Sequence, residues 1–526
     1  MSEQGQLSSA SSMPPEAEDD SLDALAAKTL ARAKGVVGPG PSDAAGKLGR
    51  ALLRSFALPF GIVIGATLGF VVAPLMLVFS GSATAKATRF LFAPFVGLAL
   101  GATTGWRLLT RGRLHPIPLL AKVLHRFAPV VAFPPAITNR VFGLVLVTNY
   151  DDVRLVLERD DVFRVDGYDE RMRVSAGAFF LGMERGPIYE KEQRLAAAAV
   201  GRELEPLREL VAGLSRALVH SANERSRTID VVSELAHAVQ AAVLERFYGI
   251  PNTRDERLIP WLETTSHFIS NVGIGGPYRT AAIEAGRELS AHVRRIVRRR
   301  IEAIAHGTAP RQDVLGRLLE TIRSTAGDPK LPTNEDLAVR TMAGLVTNST
   351  VPTIGLFISA LDFLLDLSAD ERTAMKKAAH LDDNATVKRF LFEAARFCAY
   401  PPTLYRHAVM PYVFHAGSKH EATAARGAWV VTLPLLANFD ARVFANPSTF
   451  NPMREHAPER APLLFGWSQH ACLGAHLAEL LVIEMAKPLL AKGIGRTPGP
   501  DGALHKGQAG VIPDGDFARK LVVRFD

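Results

Sequence analysis

The residue types best suited to chemistry lie together near the end of the chain. They form Phe465-Gly-Trp-Ser-Gln-His-Ala-Cys-Leu-Gly474, directly ahead of a predicted helix over 475–490. A cysteine at a helix start meets unpaired backbone N–H groups and the positive end of the dipole, and both favour its thiolate. Gly474 removes a side chain where a flat macrocycle would have to approach. His470, two residues before the thiol, can donate to a carboxylate. These are the requirements of a thiolate that ligates haem iron. The bland alternative is a small buried hydrophobe, which an isolated cysteine most often is.

With these residues on view, the chain resembles the cytochrome P450 family, whose haem loop reads F-x-x-G-x-[HR]-x-C-x-G. Phe465, His470, Cys472 and Gly474 match, while Ser468 stands where the family has Gly. Upstream, Glu393-Ala-Ala-Arg396 sets its charges at i, i+3 spacing, and Pro447-Ser-Thr-Phe-Asn-Pro-Met-Arg454 is similar to the family's P-x-x-F-x-P-x-R. An isolated E-x-x-R would be read as a solvated pair. The resemblance implies that Glu393, Arg396 and Arg454 form a buried structural triad, in which two guanidiniums offset the desolvation of one carboxylate. It also implies haem b with Cys472 as axial thiolate, and His470, Arg194 and Arg406 as candidates for its propionates. In that reading Arg194 lies four residues after Glu190, where the family has His or Trp. The implied fold is mainly α with a small β region.

Oxygen-activating members of that family carry an acid–alcohol pair in a long central helix, in a pattern like A/G-G-x-D/E-T. Here the helix reads Met342-Ala-Gly-Leu-Val-Thr-Asn-Ser-Thr-Val-Pro-Thr353. Set on Ala343-Gly344, the pattern puts Val346 at the acid and Thr347 at the alcohol. Set on the downstream Leu361-Asp-Phe-Leu364, it puts Val351 and Pro352 there and turns Asn348 and Ser349 into the pocket. Neither register supplies a carboxylate. Pro352 lacks an N–H, so the Asn348 carbonyl loses its helical partner and a kink is expected.

The distal polar candidates are therefore Asn348, Ser349 and Thr347. The missing acid resembles a branch of the family that takes preformed lipid hydroperoxides and needs no electrons, with an Asn bonded to the peroxide. The expected function is monooxygenation of a lipophilic substrate such as a fatty acid, terpenoid or sterol. The alternative is an electron-independent hydroperoxide isomerase, lyase or peroxygenase; a second is a haem-binding sensor or electron-transfer protein. No Gly-rich phosphate loop follows a strand, so reducing equivalents are expected from a separate ferredoxin or reductase.

The elements that must position these residues occupy about 400 residues. Strand patterns at Val141–Thr148, His407–Phe414 and Ala428–Leu433 are outnumbered by helical periods at Asp151–Glu158, Leu207–Phe247, Thr280–Ala305, Glu335–Leu367 and Ala369–Arg396. The 526-residue chain has 61 Lys+Arg against 53 Asp+Glu, hydrophobic residues at 48% and two cysteines. That excludes disorder over most of the length and any disulfide framework, and it fits a reduced compartment. The basic segment Arg294, Arg295, Arg298, Arg299 and Arg300 has no interleaved aromatics, so a nucleic-acid surface is not expected. A solvated face is the plain reading of it, with docking of an acidic redox partner or phospholipid as the alternative.

Residues 1–50 read as a disordered tail, and no cleavable secretory signal opens the chain. The stretch 51–112 reads as a transmembrane hairpin built on two uncharged runs, Phe56–Phe79 and Phe90–Trp106; a span needs about 20 apolar residues. Gly61, Gly65 and Gly69, then Gly97, Gly101 and Gly105, put a small-residue stripe on each run, suited to packing of the hairpin or self-association. The catalytic domain is expected over 113–526, on the cytoplasmic side of the membrane lipid.

Overall fold

A computed structural model describes residues 116–133, 143–201, 204–270, 277–325, 334–507 and 517–526. The expected tail and membrane hairpin lie outside the described residues. The central helix, Glu335–Leu364, starts where the Asn334 side chain accepts the N–H of Leu337 at 3.0 Å, with Glu335 and Asp336 in the first turn complementing its dipole. It is helical through Pro352. Among the described residues this is the one helix long and apolar enough to cross a membrane, but 72% of its most apolar stretch is buried inside the protein. Its hydrophobicity serves a core.

Helices Leu258–Ser270, Pro277–Ala305, Asn384–Phe397 and Ala475–Lys492 pack around this rod. Close approach is possible where side chains are missing. A Cβ on Gly344 would lie 2.3 Å from the Phe179 ring, so that ring seats directly on the helix backbone. Arg340, one turn earlier, forms a bidentate pair with the buried Glu192 of helix Pro187–Val200. One apolar cluster runs from Met172 to Phe525 through these helices, and a second lies under the sheet.

The main sheet has five strands in the spatial order Val130–Phe133, Leu144–Val147, Trp429–Thr432, Leu404–Ala408 and Phe163–Arg164. Its pairs are antiparallel except the second, where Leu144 to Val147 run parallel to Trp429 to Thr432. Smaller sheets of two and three strands complete a mainly α architecture.

Three expected elements are divided in the structure. The long period from Leu207 breaks after Ser226, where Arg227 turns left-handed (φ 52°) and strand Thr228–Asp230 follows. The period from Ala369 splits into Ala369–His380 and Asn384–Phe397, with Asp382 left-handed (φ 55°) and Asp383 capping the second helix. The strand from His407 splits at Pro411, which has no N–H for a ladder, into Leu404–Ala408 and Tyr412–Phe414. The basic segment is largely answered by acids: Arg294 and Arg298 meet Glu335 at 2.6 and 3.0 Å, and Arg300 meets Asp313 at 3.0 Å.

Glu393 accepts from Arg396 at 2.9 and 3.0 Å, from Arg454 at 3.2 Å and from the Asn451 N–H at 3.0 Å. Arg396 is fully buried. Removing the carboxylate charge would strand two guanidiniums in a low-dielectric interior. Glu393→Gln is expected to cost about 3 kcal/mol or more of stability, read as a lower urea midpoint at unchanged slope.

Candidate active site

Cys472 sits at the floor of a cavity of about 250 Å³ under the central helix. Its backbone N–H donates to the Phe465 carbonyl at 2.8 Å, which closes the loop that carries it. Helix Ala475–Lys492 starts three residues on, with Gly474 as its N-cap. Cys472 is an exposed residue and lines the cavity. Burial there pushes the thiol pKa up, and the Gly474 N–H opposes this. No atom lies within 4 Å of where a Gly474 Cβ would be, so this side of the loop faces open space.

At the cavity's edge stand two side chains with unspent donors. Arg406 is 4% exposed, and its Nε is buried without a partner. Burial lowers its pKa, against the pull of Tyr168, Asp160 and Glu184. His470 is half-buried, with both ring nitrogens buried and unbonded, and its pKa is pushed down to about 3 by burial and then by the Arg406 charge. Orphaned donors of this kind are costly unless an acceptor arrives. An anionic, flat ligand lying over Cys472 and Gly474 would supply it, so these residues fit a haem with its propionates.

Arg194 does not share this arrangement. Its side chain is 73% exposed and its ion-pair partner is Glu190, 4.0 Å away. One helical residue is a rotation of about 100°, and the face turned to His470 carries Tyr189 and Gln193 instead. The Tyr189 ring lies 5.4 Å from that of His470, its hydroxyl donates to the Gln469 carbonyl at 2.7 Å, and Gln193 donates to the hydroxyl at 3.1 Å. Tyr189 and Gln193 keep the family's four-residue spacing, one position earlier than Glu190 and Arg194.

The wall opposite Cys472 is the central-helix face of Leu345, Asn348, Ser349, Pro352, Thr353 and Leu356. Asn348 uses one N–H on the Gly344 carbonyl at 2.8 Å, and Thr353 donates to the Ser349 carbonyl at 2.6 Å. Thr347 is a correction. It is fully buried on another face, its hydroxyl without a partner, and it does not line the cavity. Thr353 was missed, although Ser349-Thr350-Val351-Pro352-Thr353 fits the acid–alcohol pattern in a third register, with Thr353 the alcohol and Pro352 in place of the acid. Tyr248, brought to the cavity by the π-helical turn Val243–Phe247, carried no signal in the sequence. Among the described residues no Asp or Glu lines the cavity. Its remaining wall is mostly apolar, with Met172, Phe179, Phe180 and Ile269 among the closing side chains.

No protein-family model matches the chain. It is 26% identical over 365 residues to nocardicin C N-oxygenase of Nocardia uniformis subsp. tsuyamanensis, covering 67% of this chain and 83% of that protein. It is 20% identical over 404 residues to a bifunctional dioxygenase–epoxy alcohol synthase of Pyricularia oryzae, covering 69% of this chain and 34% of that protein's length. Among solved structures, P450BioI in complex with an acyl carrier protein carrying hexadec-9Z-enoic acid superposes with a TM-score of 0.61 at 18% identity, over 78% of this chain and 97% of that one. The chain has the cytochrome P450 fold. In this P450 fold the long helix crosses above the cysteine loop, and Glu393, Arg396 and Arg454 meet beside it.

Ser468 holds a left-handed backbone (φ 59°) in the cysteine loop, at the position where the family motif has Gly. A side chain costs roughly 1 kcal/mol in that conformation. Ser468→Gly is expected to raise the melting temperature and leave the fold unchanged, by calorimetry and circular dichroism.

Proposed function

We propose that the protein is a haem-thiolate oxygenase acting on a lipophilic substrate. The observation that carries this is the placement of Cys472 on the floor of an apolar cavity, with the unspent donors of Arg406 and His470 at its edge and a hydroxyl-bearing helix face opposite. Cys472 would hold the haem iron through its thiolate, whose charge the Gly474 N–H and the helix dipole would favour. Arg406 and His470 would hold the propionates. When bound, haem supplies an iron centre that activates oxygen or a peroxide.

The chain's own residues do the rest. The Phe179 and Phe180 side chains help exclude water, and the apolar wall orients a nonpolar substrate. Thr353 lines the cavity, with its hydroxyl donating to the Ser349 carbonyl. Monooxygenation inserts one atom of dioxygen and reduces the other to water, which takes two electrons and two protons per turnover. The electrons would come from a separate ferredoxin or reductase. A membrane tether built from the apolar runs Phe56–Phe79 and Phe90–Trp106 would place the cavity beside dissolved lipophilic molecules. The P450BioI complex, with its sixteen-carbon acyl chain, supports a lipid-like substrate class.

A second reading has its own support. With no carboxylate on the cavity wall among the described residues, and the Asn348 amide there instead, the site also suits a lipid hydroperoxide. An epoxy alcohol, the product class in the fungal relative's name, contains the same atoms as an unsaturated hydroperoxide, so that rearrangement needs no external electrons.

One pair of assays separates the two. Oxygenation is expected with a ferredoxin and its reductase, and none without them. Rapid loss of a polyunsaturated hydroperoxide without reductant, abolished in Asn348→Ala, would instead establish the second reading. In either case Cys472→Ser is expected to remove the thiolate absorption of the reduced, CO-bound protein. An unchanged spectrum would refute the ligand assignment.

A further inference from the structure

We propose that Tyr400 sets the length of substrate the site accepts: its ring divides the Cys472 cavity from a second, smaller pocket, and a straight apolar chain reaches as far as that ring. The inference rests on the haem-thiolate reading with a lipophilic substrate. Among the described residues, Tyr400 is the one that lines both spaces. The cavity over Cys472 measures about 250 Å³, whereas the second pocket, at about 20 Å³, has room for little more than one water.

The two spaces lie against different residues of the central helix. Pro352, Thr353 and Leu356 line the first; Val351, Ile354 and Gly355 line the second. The Tyr400 ring meets the helix at Gly355, where a Cβ would lie 2.6 Å from a ring carbon. A glycine inside a helix is unfavourable, and here the missing side chain lets the ring lie on the backbone. Pro401 and Pro402 follow Tyr400 directly and restrict the chain that carries it. Beyond the ring the wall is mainly apolar, from Val351, Ile354, Leu504 and Ala518, with Ser359 and Lys506 beside them. Its one acid, Glu263, is 4% exposed and faces Arg519 at 3.0 Å and His237 at 3.6 Å. An alkyl chain entering this pocket would leave that carboxylate with its partners.

The test is the affinity of the haem-loaded protein for the saturated fatty acids from decanoic to octadecanoic acid, read from the shift of the haem absorption. Tyr400→Ala joins the two spaces, and each further methylene taken from water adds about fourfold in affinity. Octadecanoic acid is therefore expected to gain about tenfold or more relative to decanoic acid. Tyr400→Leu is expected to shift the order the same way by less, and serves if Tyr400→Ala does not retain haem. Tyr400→Phe, which keeps the ring, is expected to keep the parent's chain-length order. An unchanged order in the Ala and Leu variants would overturn the proposal, as would a shift in Tyr400→Phe equal to that in Tyr400→Ala, which would assign the effect to the hydroxyl. No binding of any of these acids by an unsubstituted protein with thiolate absorption intact would refute the lipophilic-substrate reading, and the partition with it. Absence of that absorption would refute the haem-thiolate reading itself.

Discussion

The cavity depends on one buried carboxylate. Glu393 is held by two guanidiniums, and Arg396 passes the constraint on. Its other terminal nitrogen donates to the Asn438 carbonyl at 2.9 Å, and the Asn438 side chain in turn accepts the Leu463 N–H at 2.8 Å. Two residues later comes Phe465, whose carbonyl receives the Cys472 N–H. The rings of Phe397, Phe439 and Phe444 surround the Arg396 guanidinium at 4.5 to 5.7 Å, excluding water from the link. Four short bonds therefore tie helix Asn384–Phe397 to a loop some 70 residues further on. Charge-assisted bonds in a dry setting are the right material for such a tie, because they hold direction as well as distance.

The site itself is built with the opposite economy. The Arg406 Nε and the His470 ring nitrogens are buried without partners, and burial pushes the Cys472 thiol away from ionisation. Each of these is a cost while the group has no partner. An anionic macrocycle would reverse all three at once, giving the donors acceptors and the sulfur a metal. Folding stability and cofactor binding are then linked: whatever binds only the folded state stabilises it. The triad holds the loop in place whether or not that ligand is present.

What was legible in the sequence follows from how local each signal is. The cysteine loop and the Glu393–Arg396 spacing are short patterns of chemically distinct residues, so they can be placed without knowing the fold. Arg406 was offered by the resemblance alone, and the structure places it in the cavity lining. The central helix offers no such marker. Its residues from Met342 to Thr353 are small, apolar or neutral, and with the acid absent the pattern best matched on paper ends at Thr347; only packing against Phe179 and the cavity singles out Asn348, Ser349 and Thr353. Arg194 lies one residue beyond Gln193, and because a helix turns about 100° per position its side chain is directed to solvent. Tyr248 was beyond reach, since its position depends on where a π-helical turn ends.

The composition of that helix face has a further physical consequence. Pro352 deprives the Asn348 carbonyl of its helical N–H, while the Asn348 amide and the Thr353 hydroxyl each bond back to the helix one turn earlier. The polar atoms facing Cys472 are thus held by their own backbone and stay uncharged at any moderate pH. A carboxylate in the same place would change charge with its surroundings and would add a negative field above a thiolate. The helix instead presents fixed dipoles, and the charge at the cavity's edge is the cation of Arg406. Such a site excludes neither oxygen nor a peroxide, but it requires that protons arrive through hydroxyl groups and water. The geometry of a few side-chain hydrogen bonds, more than the acidity of any one residue, would therefore govern its chemistry.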